Sequence, residues 1–169
     1  MRPGARGPGG RIPAPGTGRC EAEGVGTIRA LQRGDWDDWR ALWAGYLAFY
    51  RAELPDAMSR ATFDRLCAGD DGMFGLLALD DGGRGIGMAN CVLHASTWSR
   101  QPKCYLEDLF VAPAARGHDV GRALLGAVKE AAAQRGADRV YWHTQQYNGR
   151  ARSLYDQVGR PTSFVVYEM

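Results

Sequence analysis

The stretch VAPAARGHDVGRALL, residues 111–125, leaves an extended apolar run, crosses a turn marked by proline and glycine, and enters a helical pattern. Ahead of it stands KCYLEDLFV, residues 103–111, rich in aromatic and aliphatic side chains. Behind it Val120, Leu124, Ala127, Val128 and Ala131 fall on one stripe at helical spacing, and Gly136 is placed to close the helix in a left-handed conformation. DRVYWHT, residues 138–144, then reads as the next strand. Strand, helix, strand is the crossover that joins two parallel neighbours, right-handed in almost every case. A glycine-bearing turn at the start of such a helix leaves N–H groups unpaired at the positive end of the helix dipole, which makes an anion seat.

Outward from this unit, residues 26–31 form a short strand. Asp35 caps a helix over residues 36–54, in which Trp36, Trp39, Trp43, Tyr46, Leu47 and Tyr50 share a face and which Pro55 ends. Residues 59–69 form a second helix closed by Gly69. MFGLLAL and GIGMANCVLH, separated by DDGGR, make an antiparallel hairpin. Residues 95–102, ASTWSRQP, read as a loop, residues 148–159 as a helix stopped by Gly159, and TSFVVYEM, residues 162–169, as a closing strand. The fold class expected is a three-layer α/β domain: a mixed, mostly antiparallel sheet with a central parallel strand pair and helices on both faces.

The 169 residues, 45% apolar and 24% charged, suit one domain with a proper core. Residues 1–26, dominated by glycine, proline and arginine, offer almost nothing to bury and are expected to be a disordered tail before a domain at residues 27–169. A net charge of +2, with four of the arginines in that tail, gives no electrostatic case for a nucleic-acid partner. Neither a secretory leader nor a run of about 20 apolar residues is present, so no membrane association is expected. Cys20, Cys67, Cys91 and Cys104 lack the paired spacing of a metal site and read as reduced thiols of a cytoplasmic protein; no metal is expected.

RGHDVGR fails as a nucleotide-binding P-loop, since no Gly-Lys-Ser/Thr follows, and its glycine spacing fails the dinucleotide fingerprint. Arg116, the residue at 119 and Gly121 instead resemble the Q/R-x-x-G-x-G/A signature of the GNAT N-acetyltransferases. YLEDLFV and the Asn-to-Leu-Tyr helix of YWHTQQYNGRARSLYDQVG resemble other motifs of that superfamily, most closely its polyamine-type and small histone-acetylating members. The resemblance implies acetyl-coenzyme A as co-substrate, held by backbone near Leu109, Phe110 and Val111, by Arg116, Gly117, His118, Asp119, Val120, Gly121 and Arg122 around the diphosphate, and by Asn148 and Tyr155. It departs at Asp119, where the family usually has glycine. Aspartate tolerates left-handed φ but brings a charge; as helix N-cap it would compete with the diphosphate for the same amides, so weakened cofactor binding is expected.

Transfer of an acetyl group to an amine needs a free amine lone pair, a polarised carbonyl and a proton for the departing thiolate. By resemblance, Tyr155 is the general acid, although a core tyrosine is the plainer reading of the residue alone. Glu107 and Asp108 should alternate to opposite faces of their strand. The resemblance puts Glu107 at the amine, as a binding group or the start of a water chain, since direct transfer from an ammonium to a carboxylate is uphill by about 8 kcal/mol. Asp108 is either a second substrate group or a paired structural carboxylate. His94 and His143, at strand ends, read as structural, and the stripe of Trp36, Trp39, Trp43, Tyr46 and Tyr50 chiefly as core, with the lining of an acceptor pocket as its alternative. Trp98 is a candidate for contact with substrate or a second subunit. The expected activity is direct acetylation of a primary amine, a small cationic amine or an amino acid. A protein lysine or N-terminus, or an idle coenzyme A binding module, are the alternatives, and a homodimer is the expected assembly.

Overall fold

The computed structural model describes residues 25–169. The tail reading for residues 1–24 and Cys20 lie outside them; Val25 is buried and the Gly26 N–H donates to the Leu79 carbonyl at 2.9 Å.

The elements run β1 (Thr27–Ala30), α1 (Trp36–Tyr50), α2 (Asp56–Ala68), β2 (Met73–Leu79), β3 (Gly85–Ser96), β4 (Ser99–Val111), α3 (Val120–Gln134), β5 (Arg139–Trp142) and α4 (Gly149–Val158). One five-stranded sheet takes them in chain order; its pairs are antiparallel except β4 with β5, which run parallel across the α3 crossover. On one face α3 buries Val120, Leu124, Leu125, Val128 and Ala132 against Phe74, Cys91, Cys104 and Leu106. On the other, Trp39, Leu42 and Trp43 of α1 and Phe63 and Leu66 of α2 cover Leu77, Met88 and Phe110. This is the mixed three-layer α/β architecture expected.

The local differences have physical causes. α1 stops at Tyr50, where Arg51 takes a left-handed φ of 54°, and Pro55, its φ already fixed near the helical value, starts α2 instead of ending α1. The loop foreseen at residues 95–102 shrinks to the two-residue turn Thr97–Trp98, because β3 and β4 pair as far as Ser96 with Ser99. Residues 160–169 add no strand: Phe164, Val165, Val166 and Tyr167 are exposed, and β5 is the last strand of the sheet, so the parallel pair sits at its end instead of its middle.

One irregularity sets the site. Opposite β3, Leu106 pairs with Cys91 and Asp108 with Asn90, leaving Glu107 as an extra residue in a β-bulge. Leu106 therefore packs on the α3 side while Phe110, four residues on, packs on the α1 side. Regular alternation would have put them on the same side.

Candidate active site

β4 and β5 pair from Lys103 with Arg139 to Leu106 with Trp142, and there the ladder ends. β4 continues to Val111, so the backbone of Glu107, Leu109 and Val111 faces an opening with no strand on the β5 side. α1, the 112–119 turn, the start of α3 and α4 close the opening into a cleft of about 430 Å³. Of the residues expected to hold cofactor, Leu109, Phe110, Val111, Arg116, Gly117, Asp119, Val120, Gly121, Arg122, Asn148 and Tyr155 line it. His118, although in the same turn, does not.

At the α3 end the first helical N–H to find a carbonyl is that of Ala123, on Asp119 at 2.9 Å; those of Val120, Gly121 and Arg122 emerge from the helix end unpaired within it. Gly117 holds φ 94° and Asp119 φ 55°, so Asp119 takes the left-handed conformation that glycine would supply. Its carboxylate makes no capping bond, against the N-cap alternative; it lies 3.5 Å from Arg122 Nε, with its side chain largely in solvent. The competition for the amides expected of this acid is thus absent from the geometry. Arg116 donates from Nε to the Val111 carbonyl at 3.0 Å and lies over the Phe110 ring, and Arg122 donates to Gln157 Oε1 at 2.5 Å. A β-carbon on Gly121 would sit 3.1 Å from Leu154, so the helix start is pressed close to α4. Unpaired amides, two arginines and Arg150 beside an open cleft fit the diphosphate of acetyl-coenzyme A.

At the other end, the bulge turns both acids to the α1 side, correcting the expectation that they face apart. Glu107 follows the alternation from Leu106, Asp108 that from Phe110, and the extra residue brings the two into one phase. Asp108 is 9% exposed. It accepts from Asn90 Nδ2 at 3.0 Å, Asn90 Oδ1 accepts from Trp39 Nε1 at 3.2 Å, and the Tyr46 hydroxyl stands beside it as a further donor. Burial pushes the Asp108 carboxyl above the usual carboxylate range, against those donors, which pull it down. Burial, then the Asp108 charge, raises Glu107, which Arg65 opposes. Burial and the neighbouring Asp108 carboxylate drive the Tyr46 phenol far up.

Tyr155 lines the wall between the two ends, its ring edge-on to Trp142 at 5.3 Å, and burial pushes its phenol up to about 12. Asn148 is the N-cap of α4 and donates from Nδ2 to Thr144 Oγ1 at 3.2 Å, which orders the turn leading into the helix. His94 caps the Ala95 carbonyl at 2.8 Å, as a strand-end histidine should, whereas His143 opens onto the cleft. Trp98, 89% exposed at the hairpin tip, is not among the cleft residues; pairing of β3 and β4 almost to the turn carries it away from them. Trp142, Arg150 and Gln157 line the cleft without having been singled out for it, and Tyr46 and Tyr50 line it although their stripe reads chiefly as core. Tyr46 and Tyr50 left a signal, being hydroxyl-bearing rings at the end of a stripe otherwise of Trp and Leu; Arg150 and Gln157 left none.

Among the described residues no group of three or more His, Cys, Asp and Glu is arranged to hold a metal ion, and no helix is long and apolar enough to cross a membrane. Residues 36–159 match the model of the Acetyltransferase (GNAT) family. A D-amino-acid N-acetyltransferase of Saccharomyces cerevisiae is 34% identical over 142 residues, covering 83% of this chain and 88% of the yeast protein. Among solved structures, an aminoglycoside N-acetyltransferase in complex with CoA superposes with a TM-score of 0.73 at 21% identity, over 84% of this chain and 92% of that one. A ribosomal-protein-alanine N-acetyltransferase from Brucella melitensis biovar Abortus does so with a TM-score of 0.71 at 19% identity, over 84% and 96%.

Proposed function

The chain belongs to the acetyltransferase (GNAT) family of N-acetyltransferases, enzymes that draw on acetyl-coenzyme A, and on that premise we propose that it passes the acetyl group directly to the primary amine of a small cationic amine or an amino acid. The observation that carries this reading is the cleft where β4 parts from β5, with helix-end amides and the carboxylate of Glu107 both on its lining and Asp108 buried beside Glu107, off the lining. Anion-binding and cation-binding ends then lie on either side of the free β4 backbone, which is where a pantetheine arm would pair as an added strand does. A yeast relative named for D-amino acids favours a small acceptor over a protein one.

In this reading the diphosphate sits on the amides of residues 117–122, with Arg116 and Arg122 beside it, and the thioester lies near Leu109 and Tyr155. Glu107 receives the ammonium of the acceptor. Asp108, fully engaged with Asn90, adds negative potential behind Glu107 and does not itself touch the acceptor. The amine attacks the carbonyl carbon, the C–S bond breaks, and the thiolate takes the Tyr155 proton. A phenol near 12 facing a thiol near 8.5 makes that transfer uphill by about 5 kcal/mol in water. The dry surroundings that raise the phenol also raise the thiol. Exposure of Asp119 and its contact with Arg122 weaken the case for an idle binding module. The enzyme works in the cytoplasm as a homodimer, a second copy covering Phe164, Val165 and Val166 and the free edge of β5; Trp98 is available to the same contact.

The deciding experiment is thiol release from acetyl-coenzyme A with a panel of polyamines, L- and D-amino acids, aminoglycosides and peptides with free N-termini. Release that depends on a small amine supports the reading. Release with peptides alone moves the acceptor to proteins, and protection from heat by coenzyme A without turnover leaves only a binding module.

A further inference from the structure

Amine acetylation leaves one proton to be removed from the acceptor, and neither of the acids in the cleft is suited to it. A carboxylate lies about six pH units below an alkylammonium, an imidazole about four. His143 is the residue next to the last paired position of β5, as Glu107 is next to the last paired position of β4, so the two stand across from one another where the strands part. Both line the cleft. Strand alternation puts His143 with Tyr141 and Tyr105, on the face opposite Trp142 and Leu106. The imidazole is held there from behind: Nδ1 lies 3.3 Å from the Tyr105 hydroxyl, and the Tyr105 and Tyr141 rings stand 5.3 and 5.9 Å from it. Tyr105 from β4 and Tyr141 from β5 pack against the ring, the Tyr141 hydroxyl lying 2.9 Å from His94 Nε2 of β3; Glu107 from β4, Tyr46 and Tyr50 from α1, and Arg150 from α4 line the same cleft.

We propose that His143 accepts the proton of the acceptor ammonium at Nε2, and that Tyr105 is the positioning residue that fixes its tautomer by accepting a hydrogen bond from Nδ1–H. The inference rests on the acetyltransferase reading above. An N–H bond of the ammonium held by Glu107 breaks and Nε2–H forms, giving an imidazolium whose Nδ1–H remains on the Tyr105 oxygen. The freed lone pair attacks the thioester carbonyl, the C–S bond breaks, and the thiolate takes the Tyr155 proton. The acetylated nitrogen then returns its surplus proton to the Tyr155 oxygen, and the imidazolium releases its own to solvent. One proton leaves per turnover, as the overall reaction requires.

The test is the pH profile of kcat/KM for the full chain with the best amine of the panel. Wild type should lose activity as pH falls, along a limb that the variants test. His143→Gln should lose roughly 30- to 100-fold at pH 7, regain it as pH rises toward the pKa of the amine itself, and keep its KM for acetyl-coenzyme A. Added imidazole should restore part of the rate to His143→Ala. Tyr105→Phe should lose about 5-fold and keep the wild-type limb. A His143→Gln profile that superimposes on wild type overturns the assignment, and so does a loss equal at every pH, which a displaced cleft wall would produce. If wild type releases no thiol with any amine, the acetyltransferase reading falls and takes this one with it; turnover by wild type with an unaltered His143→Gln profile removes this one alone.

Discussion

Two aspartates mark the ends of the cleft, and their surroundings are opposite. Asp119 sits in a turn with its carboxylate in solvent beside Arg122, where glycine would serve the backbone equally well. Asp108 is buried behind the acceptor end and locked to Asn90 and, through it, to Trp39. The difference teaches how each end is built. The end at the start of α3 presents main-chain donors and one permissive φ, so a side chain there can vary as long as it turns outward. The acceptor end is made of side chains whose positions depend on a bulge and on one another.

Tyr155, between the ends, gives the largest expected effect. Tyr155→Phe should lower kcat by about 100-fold and leave the KM for acetyl-coenzyme A within about 2-fold, measured by steady-state thiol release. An equal rise in KM would make Tyr155 part of the cofactor seat and blur the division.

Asp108→Asn tests whether the acceptor end is a stability element. The amide keeps one acceptor oxygen but turns an NH2 donor toward Asn90 or Tyr46 where the protonated carboxyl keeps a second oxygen, so a loss of about 1–2 kcal/mol is expected at low pH. Because the folded-state pKa of Asp108 is raised, its contribution is full below the ordinary carboxylate range and is lost as pH rises through the raised value. Melting temperatures from pH 3 to 7 should therefore move in favour of the variant as pH rises. Asp35, whose carboxyl is held low first by its hydrogen bond from Arg29, predicts the reverse: Asp35→Asn should fall behind wild type over the same rise. Like slopes for the two variants would remove the contrast.

Asp119→Gly should tighten acetyl-coenzyme A by no more than about 5-fold in calorimetric titration, since a carboxylate in solvent acts through a dielectric near that of water. A gain of a thousandfold would mean that the carboxylate occupies the amides after all, and no gain or a loss would remove it from the cofactor seat. Trp98→Ala, smallest of all, should change kcat/KM by less than about 2-fold; a larger change would return the hairpin tip to the acceptor site.

What could be read from the residues follows the same division. The helix stripe of α3, its glycine-bearing entry and the crossover to β5 are local patterns, legible in the residues themselves, and the proposed anion seat rests on them. Left-handed φ at position 119 was legible too, because only glycine and a few polar residues accept it. The phase of Glu107 and Asp108 was not. A bulge depends on the partner strand, here on which β3 residue meets Leu106, and nothing within YLEDLFV announces it. Tyr46 and Tyr50 look like core because helical spacing says only that a face is covered, not that its last turn overhangs a cleft. TSFVVYEM has the composition of a strand, but composition does not supply the neighbour that pairing needs.

The fit of α1 over β4 has a further meaning. A β-carbon at Gly45 would lie 2.7 Å from the Phe110 ring, so the helix rides on that ring with nothing between. Any bulk gained at this point would have to displace either the Phe110 ring or the helix, and a displaced helix would carry Tyr46 and Tyr50 with it. In the proposed reading, the room left for an amine would then depend on the smallest residue in the helix as well as on the groups that meet the amine.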